Sequence, residues 1–297
     1  MSRIQDILNK AEREGAARRT RSIGTDVPAG PSSSPIAPPA PTPVPRPVVE
    51  PTPIAERREA RARLAEPPPV REVHLDRHLV AALAPQSLAA EQYRSLRTRI
   101  SRVETGRAVR VIIVTSPAKG DGKSLSAANL ALAMGEEFSQ RVLLIDADLR
   151  RPSVHHLFGL PESPGLTDVL MGGTPLDDAL VTLTDHNLTV LPSGVPPSHP
   201  AELLGSAAMR RVLDTLRTRF DRVILDMPPV APLADVHIAA AIADGILMIV
   251  RAGMTQKPAI ERALAGLDVS KVLGLVLNEV GAEANYHDYA GYRYIAG

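Results

Sequence analysis

The stretch "VRVIIVTSPAKGDGKS", residues 109–124, decides the fold. Its first half is a run of apolar, mostly β-branched residues, which is typical of a strand buried on both faces. Its second half is rich in glycine and ends in Lys-Ser, and the helical stretch "SAANLALAMGEEF" follows at 126–138. Glycines let backbone N–H groups turn inward around phosphate oxygens, and a helix N-terminus favours an anion. The stretch therefore predicts a strand, a phosphate-binding loop and a helix.

Apolar runs and helical stretches alternate through the rest of the chain from about residue 84. Helices are predicted at 85–101 and 206–220, and further strands are predicted in the apolar runs 141–148, 187–194, 221–229, 245–252 and 271–280. Such alternation indicates an α/β fold with a doubly wound, mostly parallel sheet and helices on both sides. Ligands of such sheets bind at the carboxyl ends of the strands.

The glycine-rich loop contains the residue types that bind a nucleotide phosphate. Gly120 and Gly122 shape the loop, Lys123 is placed to reach the β- and γ-phosphates, and Ser124 offers a hydroxyl to Mg²⁺. The literal pattern G-x-x-x-x-G-K-[ST] is not met, because Pro117 stands where the first glycine belongs. The preceding strand and the following helix supply the context that the loop requires.

Three aspartates lie at the carboxyl ends of two other predicted strands. Asp146 and Asp148 end the strand "LLIDAD", and Asp226 ends "VILD". Carboxylates at such positions hold Mg²⁺ or accept a proton. Together with Lys123 they lie on three separate strand ends, so the sequence predicts one site for ATP with Mg²⁺.

The composition excludes several classes of protein. The net charge of +1 argues against a nucleic-acid binder, and the absence of cysteine excludes disulfides and thiolate metal sites. No run of 18 apolar residues occurs, and the N-terminus lacks the apolar segment of a secretory signal. These features predict a cytoplasmic protein.

The chain divides into three predicted parts. Residues 1–69 hold a short amphipathic helix and a disordered proline-rich linker, residues 70–284 form the P-loop domain, and residues 285–297 form a tail. The linker is interpreted as a spacer, with docking to an SH3-like groove as the alternative. The tail contains four of the five tyrosines of the chain, namely Tyr286, Tyr289, Tyr292 and Tyr294.

Three motifs carry a resemblance to a known family. "SPAKGDGKS" (116–124), "LLIDADLRRP" (143–152) and "VILDMPP" (223–229) resemble the Walker-type motifs A, A′ and B of the bacterial tyrosine kinases of exopolysaccharide and capsule synthesis. These kinases belong to the deviant P-loop group that also contains the septum-site and partition ATPases. The resemblance covers roughly residues 84–297. It implies an ATP-dependent protein-tyrosine autokinase that phosphorylates its tail in trans and regulates polymerisation and export of an extracellular polysaccharide.

The resemblance also implies roles for individual residues. Asp146 is interpreted as the base that takes the tyrosine proton, with Asp148 in support, and Ser124 and Asp226 as the Mg²⁺ ligands. The full set of predicted catalytic residues is Lys123, Asp146, Asp148 and Asp226. The predicted ATP-binding residues are Lys119, Gly120, Asp121, Gly122, Lys123, Ser124, Leu125 and Asn278. "EQYRSLR" (91–97) resembles an oligomerisation motif, through Glu91, Arg94 and Arg97.

The partners implied by the resemblance are proteins. They are further copies of the chain in a ring-like oligomer, a membrane polysaccharide co-polymerase that activates the kinase, and a cognate tyrosine phosphatase; nucleic acid is not among them. The co-polymerase would recruit the protein to the inner face of the plasma membrane.

Two other functions stay open on the sequence alone. One is a switch ATPase of the septum-site or partition type, which binds a partner without kinase activity. Such proteins commonly carry a lysine five residues before the loop lysine, where this chain has Ala118. The other is a scaffold whose proline-rich region and tail recruit partners, and the intact Lys123, Asp146 and Asp226 count against it.

Overall fold

A computed structural model describes residues 74–103, 108–137 and 140–280. All of them belong to the unit Val73–Gly297, and the second unit, Met1–Glu72, lies outside them. The predicted N-terminal helix, the proline-rich linker and the tail tyrosines therefore lie outside the described residues. Within the described ranges, no helix has the length and apolarity needed to cross a membrane.

A seven-stranded sheet forms the centre of the described part. Its spatial order is β3-β4-β2-β5-β1-β6-β7, and every neighbouring pair is parallel except β3 and β4. In chain order the strands are β1 (Val111–Thr115), β2 (Val142–Asp146), β3 (Val181–Leu183), β4 (Leu188–Leu191), β5 (Arg222–Asp226), β6 (Gly245–Arg251) and β7 (Val272–Asn278). The mostly parallel α/β sheet predicted from the alternating pattern is confirmed.

The sequence pattern missed one strand, the antiparallel edge strand β3. Its three residues are too few to show a period, and a 3₁₀ turn at Thr184–His186 joins it to β4. Asn187 follows with a φ of 49°, a left-handed conformation that asparagine tolerates better than most residues. The hairpin therefore depends on pairing with β4, which no local pattern records.

Helices cover both faces of the sheet, as the doubly wound prediction requires. Ile112 and Val114 pack with the helices at Leu88–Val103 and Lys123–Gly135. Val111 and Ile113 pack with the helices at Ala207–Arg219, Asp235–Ala240 and Lys257–Ala265. Both faces of β1 are therefore buried, which explains its unbroken apolar run. The helices are α1 (Val80–Leu83), α2 (Leu88–Val103), α3 (Lys123–Gly135), α4 (Val154–Leu157), α5 (Leu166–Leu170), α6 (Leu176–Ala179), α7 (Pro200–Leu204), α8 (Ala207–Arg219), α9 (Asp235–Ala240) and α10 (Lys257–Ala265).

Strand register brings the three motif loops to one edge of the sheet. β5 lies between β1 and β2, Asp146 pairs in register with Asp226, and Val114 of β1 pairs with Asp226 on the other side. Because the three strands are parallel, their carboxyl ends and the loops that follow lie side by side. The loop after β1 is the glycine-rich stretch, so the phosphate loop adjoins all three carboxylates.

The opposite, amino edge of the sheet is joined by arginine–aspartate pairs. Asp244 accepts the backbone N–H groups of Arg110 and Val111 at 3.0 and 2.8 Å, and Arg217 Nη1 lies 2.9 Å from its Oδ2. Asp221 accepts the backbone N–H of Arg141 at 2.9 Å and pairs with the guanidinium of the same residue. Asp244, just before β6, thus binds the start of β1, and Asp221, just before β5, binds the residue that precedes β2.

Candidate active site

The phosphate loop depends on two glycines in left-handed conformations. Gly120 and Gly122 have φ values of 89° and 88°, which side chains other than glycine rarely adopt. Gly122 caps α3, so the first N–H groups of that helix open toward the loop. The Asp121 carboxylate closes the loop from inside by accepting the N–H of Ala118 at 2.9 Å. Backbone donors and the helix dipole thus form an anion-binding cradle.

Residues from the ends of β6 and β7 brace this loop. Thr255 Oγ1 donates to Asp121 Oδ1 at 2.7 Å, and Asn278 Nδ2 donates to the Asp121 carbonyl at 3.0 Å. A Cβ at Gly122 would collide with Asn278 Nδ2, and the left-handed φ is strained for other residues, so the position favours glycine. Arg251 donates weakly to the Gly120 carbonyl at 3.4 Å and pairs with Glu279. In this structure Asn278 supports the loop, and its predicted contact with a nucleotide stays a prediction.

The Lys123 ammonium is the charge centre of the site. Its Nζ lies 2.8 Å from Asp148 Oδ2 and 3.3 Å from Asp226 Oδ1, and it donates to Ser124 Oγ at 3.1 Å. The lysine side chain is 13% exposed, and the two carboxylates are almost completely buried. One buried cation therefore pairs with two carboxylates, one in the loop after β2 and one at the end of β5, next to the phosphate-binding loop.

The loop after β2 wraps around its own carboxylates. Asp146 Oδ2 accepts the N–H groups of Ser153 and Val154, both at 2.9 Å, and its Oδ1 accepts the N–H of Asp148 at 3.2 Å. Asp148 Oδ1 in turn accepts the N–H of Arg151 at 3.1 Å. The path of the loop from 147 to 154 is therefore set by hydrogen bonds to the two acidic side chains.

Crowding of charge in a buried place shifts the pKa values of the site. Burial, with the negative charge of Asp226 as the second cause, raises the pKa of Asp146 to about 7. Burial also raises the pKa of Asp226, although Lys123 and Ser124 partly offset that effect. Burial alone would lower the pKa of Lys123, but attraction to Asp226 and Asp148 outweighs it and raises the pKa above its ordinary value. Groups perturbed in this way are typical of functional sites.

The same residues fit a magnesium ion that arrives with a nucleotide. Asp226 Oδ2 is buried and has no hydrogen-bond partner among the described residues. Ser124 Oγ accepts a hydrogen bond from the Lys123 ammonium, which also pairs with Asp226 Oδ1. Mg²⁺ is usually held by one or two protein oxygens together with phosphate oxygens and water. No cluster of three acidic, histidine or cysteine ligands occurs within the described ranges.

The other predicted ATP-binding residues lie in or next to the loop. Lys119 is exposed at the tip of the loop. Leu125 is partly buried and packs against the apolar core on the α3 side of the sheet. The role of each residue from Lys119 to Leu125 in binding ATP stays a prediction.

The predicted oligomerisation residues contact the chain's own helix α3. Arg94 Nε lies 2.9 Å from Glu136 Oε2 and its Nη1 lies 3.1 Å from Glu91 Oε2, while Arg97 Nη1 donates to the Ala133 carbonyl at 2.5 Å. Cations at these positions satisfy the free carbonyls and the negative end of α3. Within one chain these arginines therefore stabilise the end of the helix that starts at Lys123.

Sequence reasoning missed the residues that support the site from a distance. Arg251 ends β6, inside an apolar run that predicted only a strand, and Thr255 follows it without a recognised motif. Arg150 belongs to the quoted stretch "LLIDADLRRP", but its partner Asp235 lies 85 residues away in the chain and has no local signal. Only the folded structure reveals these supports.

Comparisons with known proteins agree with this geometry. The AAA domain family matches residues 109–267. Tyrosine-protein kinase YwqD of Bacillus subtilis (strain 168) is 38% identical over 220 residues, which are 73% of this chain and 92% of that protein. Among solved structures, the chimerical protein CapA2B2 is 30% identical with a TM-score of 0.66, over 75% of this chain and 98% of the other.

A second solved structure extends the same likeness. The kinase domain of Escherichia coli tyrosine kinase ETK is 26% identical with a TM-score of 0.67, over 78% of this chain and 89% of the other. The matched regions contain the phosphate loop and the three carboxylates described above. With a relative of this identity matched over nearly its whole length, the chain belongs to the bacterial tyrosine-protein kinases.

Proposed function

We propose that this kinase uses ATP to phosphorylate tyrosines in its own carboxyl-terminal tail, with one subunit acting on the tail of its neighbour. The observation that carries the proposal is the position of Lys123 Nζ between Asp148 and Asp226, beside the phosphate cradle. A cation shared between carboxylates of two strands is placed to turn toward the phosphates of a bound nucleotide. Phosphoryl transfer depends mainly on such alignment and charge neutralisation.

In the proposed reaction the loop binds the ATP phosphates through its backbone N–H groups and Lys123. Ser124 and Asp226 would hold Mg²⁺, which neutralises charge on the β- and γ-phosphate oxygens when bound. Lys123 stabilises the charge that develops on the transferred phosphoryl group. Asp148 keeps the ammonium in place, since its Oδ2 is the nearest carboxylate oxygen at 2.8 Å.

Asp146 is the proposed base for the acceptor tyrosine. A phenol has a pKa of about 10 and is protonated at neutral pH, so it gains from a base in the transition state. Asp146 uses three acceptor positions on backbone N–H groups. A carboxylate has about four such positions, so one is left for a proton. As the tyrosine oxygen bonds to the γ-phosphorus, the bond to ADP breaks and the proton passes to Asp146.

The proposed acceptors lie outside the described residues. They are Tyr286, Tyr289, Tyr292 and Tyr294. Each phosphate adds about −1.5 to −2 charge, which the crowded carboxylates of the site would repel. Phosphorylation would therefore eject the tail and loosen the assembly.

The proposed assembly is a ring-like homo-oligomer that uses the helix containing Glu91, Arg94 and Arg97. Glu91 is 63% exposed and Arg94 is 27% exposed, so Glu91 is the more accessible of the two to a neighbouring copy. A membrane polysaccharide co-polymerase would activate the kinase and recruit it to the inner face of the plasma membrane, and a tyrosine phosphatase would reverse the modification. Through this cycle the kinase would regulate polymerisation and export of an extracellular polysaccharide.

Peptide mass spectrometry after incubation with Mg-ATP tests the proposal. We expect phosphate on the tail tyrosines of the full chain and none on Tyr93, which is partly buried between α2 and α3. The matched control replaces the four tail tyrosines by phenylalanine, which removes the acceptors without touching the ATP site. ATP hydrolysis without phosphotyrosine, even after addition of a co-polymerase tail peptide, would instead favour a switch ATPase.

A further inference from the structure

An ion pair joins the loop that holds the catalytic carboxylates to the segment after β5. Arg150 Nε lies 2.7 Å from Asp235 Oδ2, and Arg150 Nη2 lies 3.0 Å from Asp235 Oδ1. The Asp235 side chain is 1% exposed and opens the first turn of α9. Two parallel hydrogen bonds between a guanidinium and a carboxylate fix both partners in one geometry. The pair is therefore a rigid link between the loop after β2 and the first turn of α9.

Arg150 is close enough in the chain to the site that a small shift of its backbone would displace the site carboxylates. It lies two residues after Asp148, whose Oδ2 contacts Lys123, and four residues after Asp146. On the other side of the link, Asp235 belongs to the segment that leads away from Asp226. The link therefore spans the two chain segments that supply the carboxylates around the Lys123 ammonium.

The hydrogen bonds inside the loop after β2 join residues that are close together in the chain. Asp146 and Asp148 bind N–H groups of residues 148–154, all within the same loop. These bonds shape the loop but do not by themselves set its distance from β5. The N–H of Ala147 donates to the Asp226 carbonyl at 2.9 Å and ties the start of the loop to β5; the buried Leu149 and the Arg150–Asp235 pair connect the rest of the loop to the domain.

We infer that Arg150 and Asp235 are positioning residues for phosphoryl transfer: their ion pair keeps the loop that carries Asp148, and that supplies N–H groups to Asp146, aligned with Lys123 and the γ-phosphate. Neither residue touches the reacting atoms. Misalignment of about 1 Å at a reacting centre costs on the order of 10²-fold in rate, so a link of this kind affects turnover strongly. The kinetic part of this inference rests on the proposed tail phosphorylation, and the structural part does not.

The test compares two double variants of the full chain. Arg150→Met/Asp235→Asn removes the link without leaving a buried unpaired charge, which a single Arg150→Met would do. Arg217→Met/Asp244→Asn removes a bidentate pair of the same chemistry at the amino edge of the sheet. Thermal unfolding of both variants shows how much general stability each loses.

Hydrogen–deuterium exchange gives a readout that needs no kinase activity. In the Arg150/Asp235 variant we expect the amides of Ser153 and Val154, which Asp146 protects, to exchange about tenfold faster. In the Arg217/Asp244 variant we expect the same amides to exchange as in the wild type. Unchanged exchange in the first variant, or equal acceleration in both, would overturn the inference.

Kinetics separate positioning from binding. For the Arg150/Asp235 variant we expect kcat for tail phosphorylation to fall about 10- to 100-fold, with the KM for ATP changed by less than about threefold. The Arg217/Asp244 variant should keep both constants, and Arg150→Lys should recover part of kcat. A wild type without phosphotransfer would contradict the proposed function, whereas a fully active Arg150/Asp235 variant would contradict only this inference.

Discussion

The two edges of the sheet use the same side chain, aspartate, in opposite ways. At the amino edge, Asp221 accepts a backbone N–H and the guanidinium of Arg141, and these bonds lower its pKa. Burial works to raise the pKa of Asp244, but Arg217 and two backbone N–H groups outweigh it and the pKa is lowered. At the carboxyl edge, burial raises the pKa values of Asp146 and Asp226.

The difference lies in how many positive partners each carboxylate has. Each amino-edge aspartate has an arginine to itself, whereas Lys123 serves both Asp148 and Asp226 and influences Asp146 from farther away. The first arrangement stabilises the folded chain. The second holds excess negative charge in a buried place, which a cation or a proton relieves. The amino-edge pairs therefore contribute to stability, and the carboxyl edge holds the groups of the proposed chemistry.

The largest expected effect comes from removing the shared cation. Lys123→Met takes away the charge that approaches the transferred phosphoryl group, and we expect tail phosphorylation to fall by about 10³-fold. Phosphotyrosine on the full chain after incubation with Mg-ATP measures the effect. The matched control is Lys257→Met on α10, where the lysine is 80% exposed and pairs only with Glu261 among the described residues, at 3.6 Å. Equal phosphotyrosine in both variants would refute the site.

A smaller effect is expected from pH and from the proposed base. Asp146 must be ionised to accept a proton, and its pKa is raised to about 7 by burial and by Asp226. The kcat/KM of the wild type should therefore rise about tenfold between pH 6 and pH 8.

The variant Asp146→Asn sharpens this prediction. It should lower kcat/KM about 10²-fold at pH 8 and leave little dependence on pH below 8, because the titrating base is gone. Steady-state kinetics of tail phosphorylation across this range, with each variant's folding checked at every pH, provide the measurement. An Asp146→Asn profile parallel to the wild type would assign the titration to another group.

The smallest effect on activity is expected at the amino edge. Asp244→Asn loses a charged acceptor of Arg217 and of two backbone N–H groups, so it should lower the free energy of unfolding by about 1–3 kcal/mol at pH 7. Its kcat should stay at the wild-type value, because the residue lies at the edge opposite the site.

The pH dependence of that stability has a definite sign. The pKa of Asp244 is lower in the folded chain than the ordinary value of about 3.9, so the unfolded chain binds the proton first. The stabilisation is complete above the unfolded pKa and is lost as the pH falls through the folded pKa. Urea unfolding at pH 7 and at pH 3 should show the gap between wild type and Asp244→Asn narrowing in acid. Asp214→Asn, at an exposed position on α8, should show neither effect.

Most of the fold was predictable because its signals are local. β1, β2, β4, β5, β6 and β7 each fall within a predicted apolar run, since strands buried on both faces need apolar residues at every position. β3 was not predictable, because its existence depends on pairing with β4 and not on its own three residues. The spatial order of the strands also required the structure, since alternation alone does not say which parallel strands become neighbours.

The chemistry-bearing residues were predictable for a similar reason. A parallel sheet places every strand's carboxyl end at one edge, so Lys123, Asp146, Asp148 and Asp226 were expected together from their positions in the chain. Their distances were not, and neither was the sharing of one ammonium between Asp148 and Asp226.

The sequence by itself determined the alternating α/β architecture, the phosphate loop and the residue types at the strand ends, because spacing and glycine placement act over a few residues. Tertiary structure alone decided the pKa shifts, the brace from Thr255 and Asn278 onto the loop, and the link between Arg150 and Asp235. These features depend on burial and on partners more than 80 residues apart in the chain, as the 85-residue separation of Arg150 and Asp235 shows. Only the packed sheet brings such partners within hydrogen-bonding distance.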